Sequence, residues 1–150
     1  MALRNDILNR AHWVFVRDKW RTDLQVRAAN LAARKYAKNY DAVFSVERSG
    51  AGENPLTVAV EYERTLKAED RYAEISNTLR GESSIDMLFY LCASADMVPL
   101  LAQRIALKNL VVGFTVARSF VHQGKQCPVF LWTQQKLQPI PMGDVINPSQ

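Results

Sequence analysis

Apolar positions recur at helical spacing over residues 3–19, where Leu3, Ile7, Leu8, Ala11 and Val14 fall on one side. The pattern predicts a first helix. A second is predicted up to residue 38, with Leu24, Ala28, Leu31 and Ala32 on one stripe and Thr22 or Asp23 as its cap. The period then changes. AVFSVER at 42–48 and LTVAVEYER at 56–64 are rich in Val and aromatic residues and flank the turn sequence SGAGENP, so they predict a β-hairpin. Residues 66–80 return to helical spacing through Ala68, Tyr72, Ile75 and Leu79, and Gly81 stops the helix. IDMLFYLCA at 85–93 reads as a buried strand. Residues 95–108 read as a helix, and 110–121 and 128–132 as strands joined through HQGKQC. Residues 138–150 carry Pro139, Pro141 and Pro148 with little periodicity and predict a loose tail.

The resulting order, α-α-β-β-α-β-α-β-β, predicts an α/β fold in which helices flank a mixed sheet, with a single domain over residues 1–137. The passage from 56 to 93 is a β-α-β unit, so its strands are expected to be parallel with a right-handed crossover. The late hairpin, about 111–133, is expected to leave an open sheet edge, which favours a homodimer.

Composition narrows the class. The chain has 150 residues, of which 48% are hydrophobic and 23% charged. Those are the proportions of a globular domain, not of a disordered segment, a fibre or a disulfide miniprotein. No apolar run is long enough to span a membrane, and charges begin at Arg4, unlike a secretory signal. Cys92 and Cys127 are too few and too isolated for a disulfide framework or a zinc site, so a reducing, cytoplasmic setting is expected, and neither His12 nor His122 stands at metal-ligand spacing. Neither a G-x-x-x-x-G-K-[ST] nor a G-x-G-x-x-G pattern is present, which disfavours an ATPase or a dinucleotide enzyme.

Charge adds a partner class. The net charge is +4, but residues 1–40 hold nine Lys/Arg against three Asp, and the remainder is slightly acidic. A basic first quarter is expected of a protein that meets a polyanion. Arg4, Arg10, Arg17, Lys19, Arg21 and Arg27, with Arg71 further on, are the candidates for contact with a nucleic-acid backbone.

The candidate chemistry lies in the hairpin. Side chains alternate across a strand, so Leu56, Val58, Val60 and Tyr62 share one face and Thr57, Ala59, Glu61 and Glu63 the other. Glu61 and Glu63 are then roughly 7 Å apart at Cα. A loop centred on residue 52 places Asp41 opposite Glu63, to within two residues of register. Three acids at one sheet edge repel one another unless a positive group joins them. One candidate is a hard divalent cation, magnesium or manganese, on Asp41 and Glu61. The other is Lys67, expected one turn into the next helix, where Arg71 is its i, i+4 neighbour. A metal there would activate water against a phosphodiester, with Lys67 stabilising charge on the phosphate.

The stretch from DAVFSVE through VAVEYERTLKAEDRYAEI resembles the core of the PD-(D/E)xK nuclease-like superfamily. More narrowly it is similar to the replication-relaxation family of plasmids and conjugative elements, whose first helix opens like LRNDIL here. The resemblance spans about residues 3–110 and is strongest over 41–72. It implies a restriction-endonuclease-like fold and a site of Asp41, Glu61, Glu63 and Lys67, with Asp41 and Glu61 as metal ligands. It also implies action on DNA in a mobile element, either as a metal-dependent nuclease or as a non-catalytic DNA-binding or complex-assembly accessory. The chain departs from the family pattern at Tyr40, where a proline is usual, and at Glu63, where the (D/E)-x-K element would carry lysine.

Overall fold

The computed structural model describes residues 2–15, 20–47 and 54–146. The elements are α1 (Ala2–Phe15), β1 (Trp20–Thr22), α2 (Asp23–Ala33), β2 (Ala42–Val46), β3 (Leu56–Glu63), α3 (Glu69–Arg80) and β4 (Met87–Cys92). They continue with α4 (Met97–Arg104), β5 (Val111–Val116), α5 (Ala117–Gln123), β6 (Pro128–Thr133), β7 (Lys136–Pro141) and α6 (Met142–Ile146). All seven strands form one mixed sheet whose spatial order is the chain order. The first three strands are antiparallel neighbours, β3, β4 and β5 run parallel, and β6 and β7 are again antiparallel. The expected α/β class and the expected parallel pairing of β3 with β4 are therefore present.

Helices cover both faces. Tyr72, Ile75 and Leu79 of α3 and Val98 and Leu101 of α4 pack with Val43, Ala59, Leu88 and Tyr90 on one side. Ile7 of α1, Phe120 of α5 and Met142 and Val145 of α6 pack with Phe44, Val58, Val60, Phe89 and Leu91 on the other. Alternation along β3 thus sorts its side chains as expected: Val58 and Val60 enter one core, and Ala59 with the two glutamates faces the other. β4 is buried from Leu88 to Cys92 because helices lie on both of its faces.

Several expectations are corrected. A short strand, β1, precedes α2, whose N-terminus is closed by Thr22 in a capping box with Gln25. α2 ends at Ala33 rather than at 38, because Arg34 takes a left-handed conformation with φ 48°. Its buried residue is Val26; the expected core stripe is turned outward, with Leu24 and Leu31 exposed. The strand expected over 110–121 stops at Val116. Ala117 and Phe120 instead recur at helical spacing and enter the second core on α5, ended by Gly124 at φ 57°. The expected loose tail is also ordered up to residue 146. A two-residue turn, Gln134 at φ 49° and Gln135 at φ 67°, folds β7 back onto β6, and Met142, Val145 and Ile146 are buried beyond it. β7 is therefore an edge of the sheet, not the 111–133 segment. Pro139 and Pro141 lack the N–H groups that edge pairing needs, so that argument for a homodimer loses its basis.

Candidate functional site

The hairpin register pairs Ala42 with Val60, two residues away from the expected alignment, so Asp41 falls beside Glu61 rather than Glu63. Asp41 sits just before β2. One of its oxygens accepts from the Tyr62 backbone N–H at 2.8 Å and the other is held by the Arg4 guanidinium from α1. Glu61 and Glu63 project from the end of β3 toward α3. Glu61 Oε1 accepts from Lys38 Nζ at 2.8 Å. Glu63 is buried; Lys67 Nζ donates to Oε1, and the Tyr72 hydroxyl donates to Oε2 at 3.1 Å. The three expected acids lie at one end of the hairpin, and each carries its own cation.

The pairs are asymmetric in burial. Side-chain exposure is 19% for Asp41, 12% for Glu61 and 7% for Glu63, against 34% for Arg4, 24% for Lys38 and 42% for Lys67. The carboxylates belong to the sheet, and the cations approach from solvent on long stems. At Glu61 the attraction of Lys38 does not fully offset the cost of burial. Burial pushes the Glu61 carboxyl up to about 7; Lys38 opposes this, and Asp41 and Glu63 reinforce it.

Tyr90 completes the site. It is the register partner of Glu61 on β4 and enters the same core. Its hydroxyl is buried without a hydrogen-bond partner among the described residues. Burial, then the charges of Glu61 and Glu63, raises its ionisation well above the ordinary value for a phenol. Burial also pushes the neighbouring Cys92 thiol up to about 12, which leaves it inert as a nucleophile.

Lys67 is not on a helix face with Arg71, as expected. It precedes α3, and its backbone N–H donates to the Tyr72 hydroxyl at 3.1 Å. Arg71 points away and pairs with Glu74 at 2.8 Å. Of the other predicted backbone-binding residues, Arg4 is committed to Asp41, and Arg10 and Arg27 are exposed on α1 and α2. Arg21 lines a cleft of about 690 Å³ with Trp20, Lys35 and Tyr36. Arg17 and Lys19 lie outside the described residues. A second cleft, of about 490 Å³, is lined by Arg34, Lys35, Lys38 and Ser83, so Lys38 connects the acid cluster to a basic groove. The segment 34–40 that carries these cations is braced by buried Glu82. That carboxylate accepts from the Tyr40 hydroxyl at 2.6 Å and from the N–H groups of Ala37 (3.1 Å), Ser83 (3.0 Å) and Ser84 (3.1 Å).

Sequence reasoning missed Lys38 and Tyr90. The helix expected through residue 38 hid the first, although a lysine three positions before the first acid was a signal. The second read only as one more apolar residue of a buried strand.

The donor set suits a hard cation in part. Asp41 and Glu61 on neighbouring strands are the one or two carboxylates that magnesium ordinarily takes from a protein. The orphaned Tyr90 hydroxyl agrees with that. Among the described residues no group of three or more His, Cys, Asp or Glu closes into a metal site, so the remaining positions would fall to water or phosphate oxygens. Among the described residues no helix is long and apolar enough to cross a membrane. Compared with family models, curated proteins and solved structures, the chain matches none.

Proposed function

We propose that this chain is a DNA-processing protein of the restriction-endonuclease-like class, related to the replication-relaxation proteins of mobile elements, and that it hydrolyses phosphodiesters at the end of the β2–β3 hairpin. The observation that carries the reading is the placement of Asp41 beside Glu61 on adjacent strands, near enough for their charges to act on each other, with Glu63 and its partner Lys67 two residues along β3 from Glu61. Magnesium or manganese, when bound, would supply charge for the phosphate and an acidified water. Asp41 and Glu61 would hold it. Lys38, displaced from Glu61 once a cation takes that carboxylate, would then be free to neutralise phosphate oxygens, and Lys67, exposed beside Glu63, would add its charge there. Arg21, Arg34 and Lys35 line the clefts that would receive the flanking backbone.

A second reading has its own support. Each acid already has a basic partner, the arrangement expected of a structural ion-pair cluster in a non-catalytic DNA-binding or complex-assembly relative. A cleavage assay separates the two. Supercoiled and single-stranded DNA are incubated with the protein in magnesium or manganese, beside Glu61→Ala. Cleavage that disappears in the variant is the expected result. Absence of cleavage, with salt-dependent DNA binding by both proteins, refutes hydrolysis and leaves the accessory role.

A further inference from the structure

Four tyrosines are buried in this protein, and their hydroxyls are not treated alike. That of Tyr40 donates to Glu82 at 2.6 Å, and that of Tyr72 to Glu63 at 3.1 Å. Tyr36 shares a cleft with Arg21. Tyr90, 2% exposed, has no partner among the described residues. An unmade hydrogen bond on a buried hydroxyl is destabilising, and phenylalanine would fill the same volume without that cost. The ring is held firmly: it stacks on Phe114 of β5 with centroids 5.7 Å apart and planes 9° from parallel. The hydroxyl is therefore aimed by the sheet and has little freedom to swing elsewhere.

Its direction is set by the register. Tyr90 lies directly beside Glu61 on the parallel neighbour strand, and both face the α3 side of the sheet with Glu63. The phenol feels the charges of both glutamates but is bonded to neither. An O–H donor therefore stands near two carboxylates that only accept, with no hydrogen bond made to either. Those carboxylates would repel a bare anion, and an oxygen accompanied by a cation would not be repelled.

We propose that the Tyr90 hydroxyl is a positioning donor for an oxygen ligand, water or phosphate, that enters beside Glu61 together with a divalent cation. The inference rests on the cation-binding reading of Asp41 and Glu61. It adds a third, neutral member to the site from a different strand, one that orients the incoming oxygen and does not itself hold the cation.

The test is Tyr90→Phe, which preserves the stacked ring and the packing. Manganese binding is followed by the paramagnetic resonance of the free ion for wild type and variant, first with manganese alone and then with inorganic phosphate added. Loss of an orienting partner of this kind typically lowers metal affinity about 10- to 100-fold. A loss in that range with manganese alone identifies water as the oxygen, and a loss seen only with phosphate identifies a phosphate oxygen. The thermal midpoint of the variant should not fall, since no hydrogen bond of the chain is removed. Equal affinities in both arms overturn the inference and leave the cation site standing. Wild type that binds no manganese overturns the inference and the reading of the site together.

Discussion

Replacing Glu61 by glutamine should make the metal-free protein more stable, and only at neutral or alkaline pH. The ordinary value of a glutamate carboxyl is 4.5, and burial lifts that of Glu61 to about 7. A folded-state value raised above the unfolded one contributes stability that is complete below 4.5 and is lost as the pH climbs through 7. At about pH 8 the folded protein therefore holds an ionised carboxylate that burial and its acidic neighbours penalise, and the unfolded chain does not. The difference corresponds to at most about 3 kcal/mol. That figure already includes the attraction of Lys38, whose amine can return to solvent once its partner is neutral. Urea unfolding of wild type and Glu61→Gln in the presence of a chelator, at about pH 4 and about pH 8, measures it. Near-equal stability at the lower pH and an advantage of about 1–3 kcal/mol for the variant at the higher pH are expected. A variant that is equally or less stable at the higher pH would refute the argument that Glu61 is held at a cost.

Two further substitutions probe the frame that aims the site. Glu82→Ala removes the acceptor of four hydrogen bonds and strands the buried Tyr40 hydroxyl, so urea unfolding should show a loss of about 3 kcal/mol; a loss under about 0.5 kcal/mol would mean that the brace is dispensable. Gly113→Ala places a methyl group 2.5 Å from Val129 Cγ1 and 2.9 Å from Phe89 Cδ1 on the neighbouring strands. Overpacking of that kind typically costs about 1–3 kcal/mol and is read as a lowered thermal midpoint; an unchanged midpoint would show that Val129 and Phe89 yield freely.

Much of the frame is legible along the chain, because periodicity is a local property. Period two from Leu56 to Glu63 determines which residues of β3 share a face, and the structure keeps that division. It also brings Asp41 and the two glutamates to one end of the hairpin, although loop length alone misplaced the pairing by two residues. The hairpin, the helix that follows it and the parallel strand beyond it stand where Val-rich and helical runs predict them. Local signals failed where two structures are nearly equal in propensity. ARSFVHQ continues a strand by composition, and only the position of the second core draws Ala117 and Phe120 onto a helix. The prolines of 136–141 argue against a strand unless it lies at an edge, and the edge exists only once β6 is in place.

The amino-acid sequence by itself determined the α/β class, the hairpin and the acids that gather on it. The tertiary structure alone decided what those acids touch. Lys38 reaches Glu61 across 23 residues, and Arg4 reaches Asp41 across 37. Tyr90 stands beside Glu61 because two strands joined by a helix lie parallel in one register. Spacing along a chain reports which side chains share a face. It carries no record of which charges from distant segments come to rest within hydrogen-bonding distance, or of which hydroxyl is left without a partner when they do, since both follow from the packing of strands and helices into one sheet.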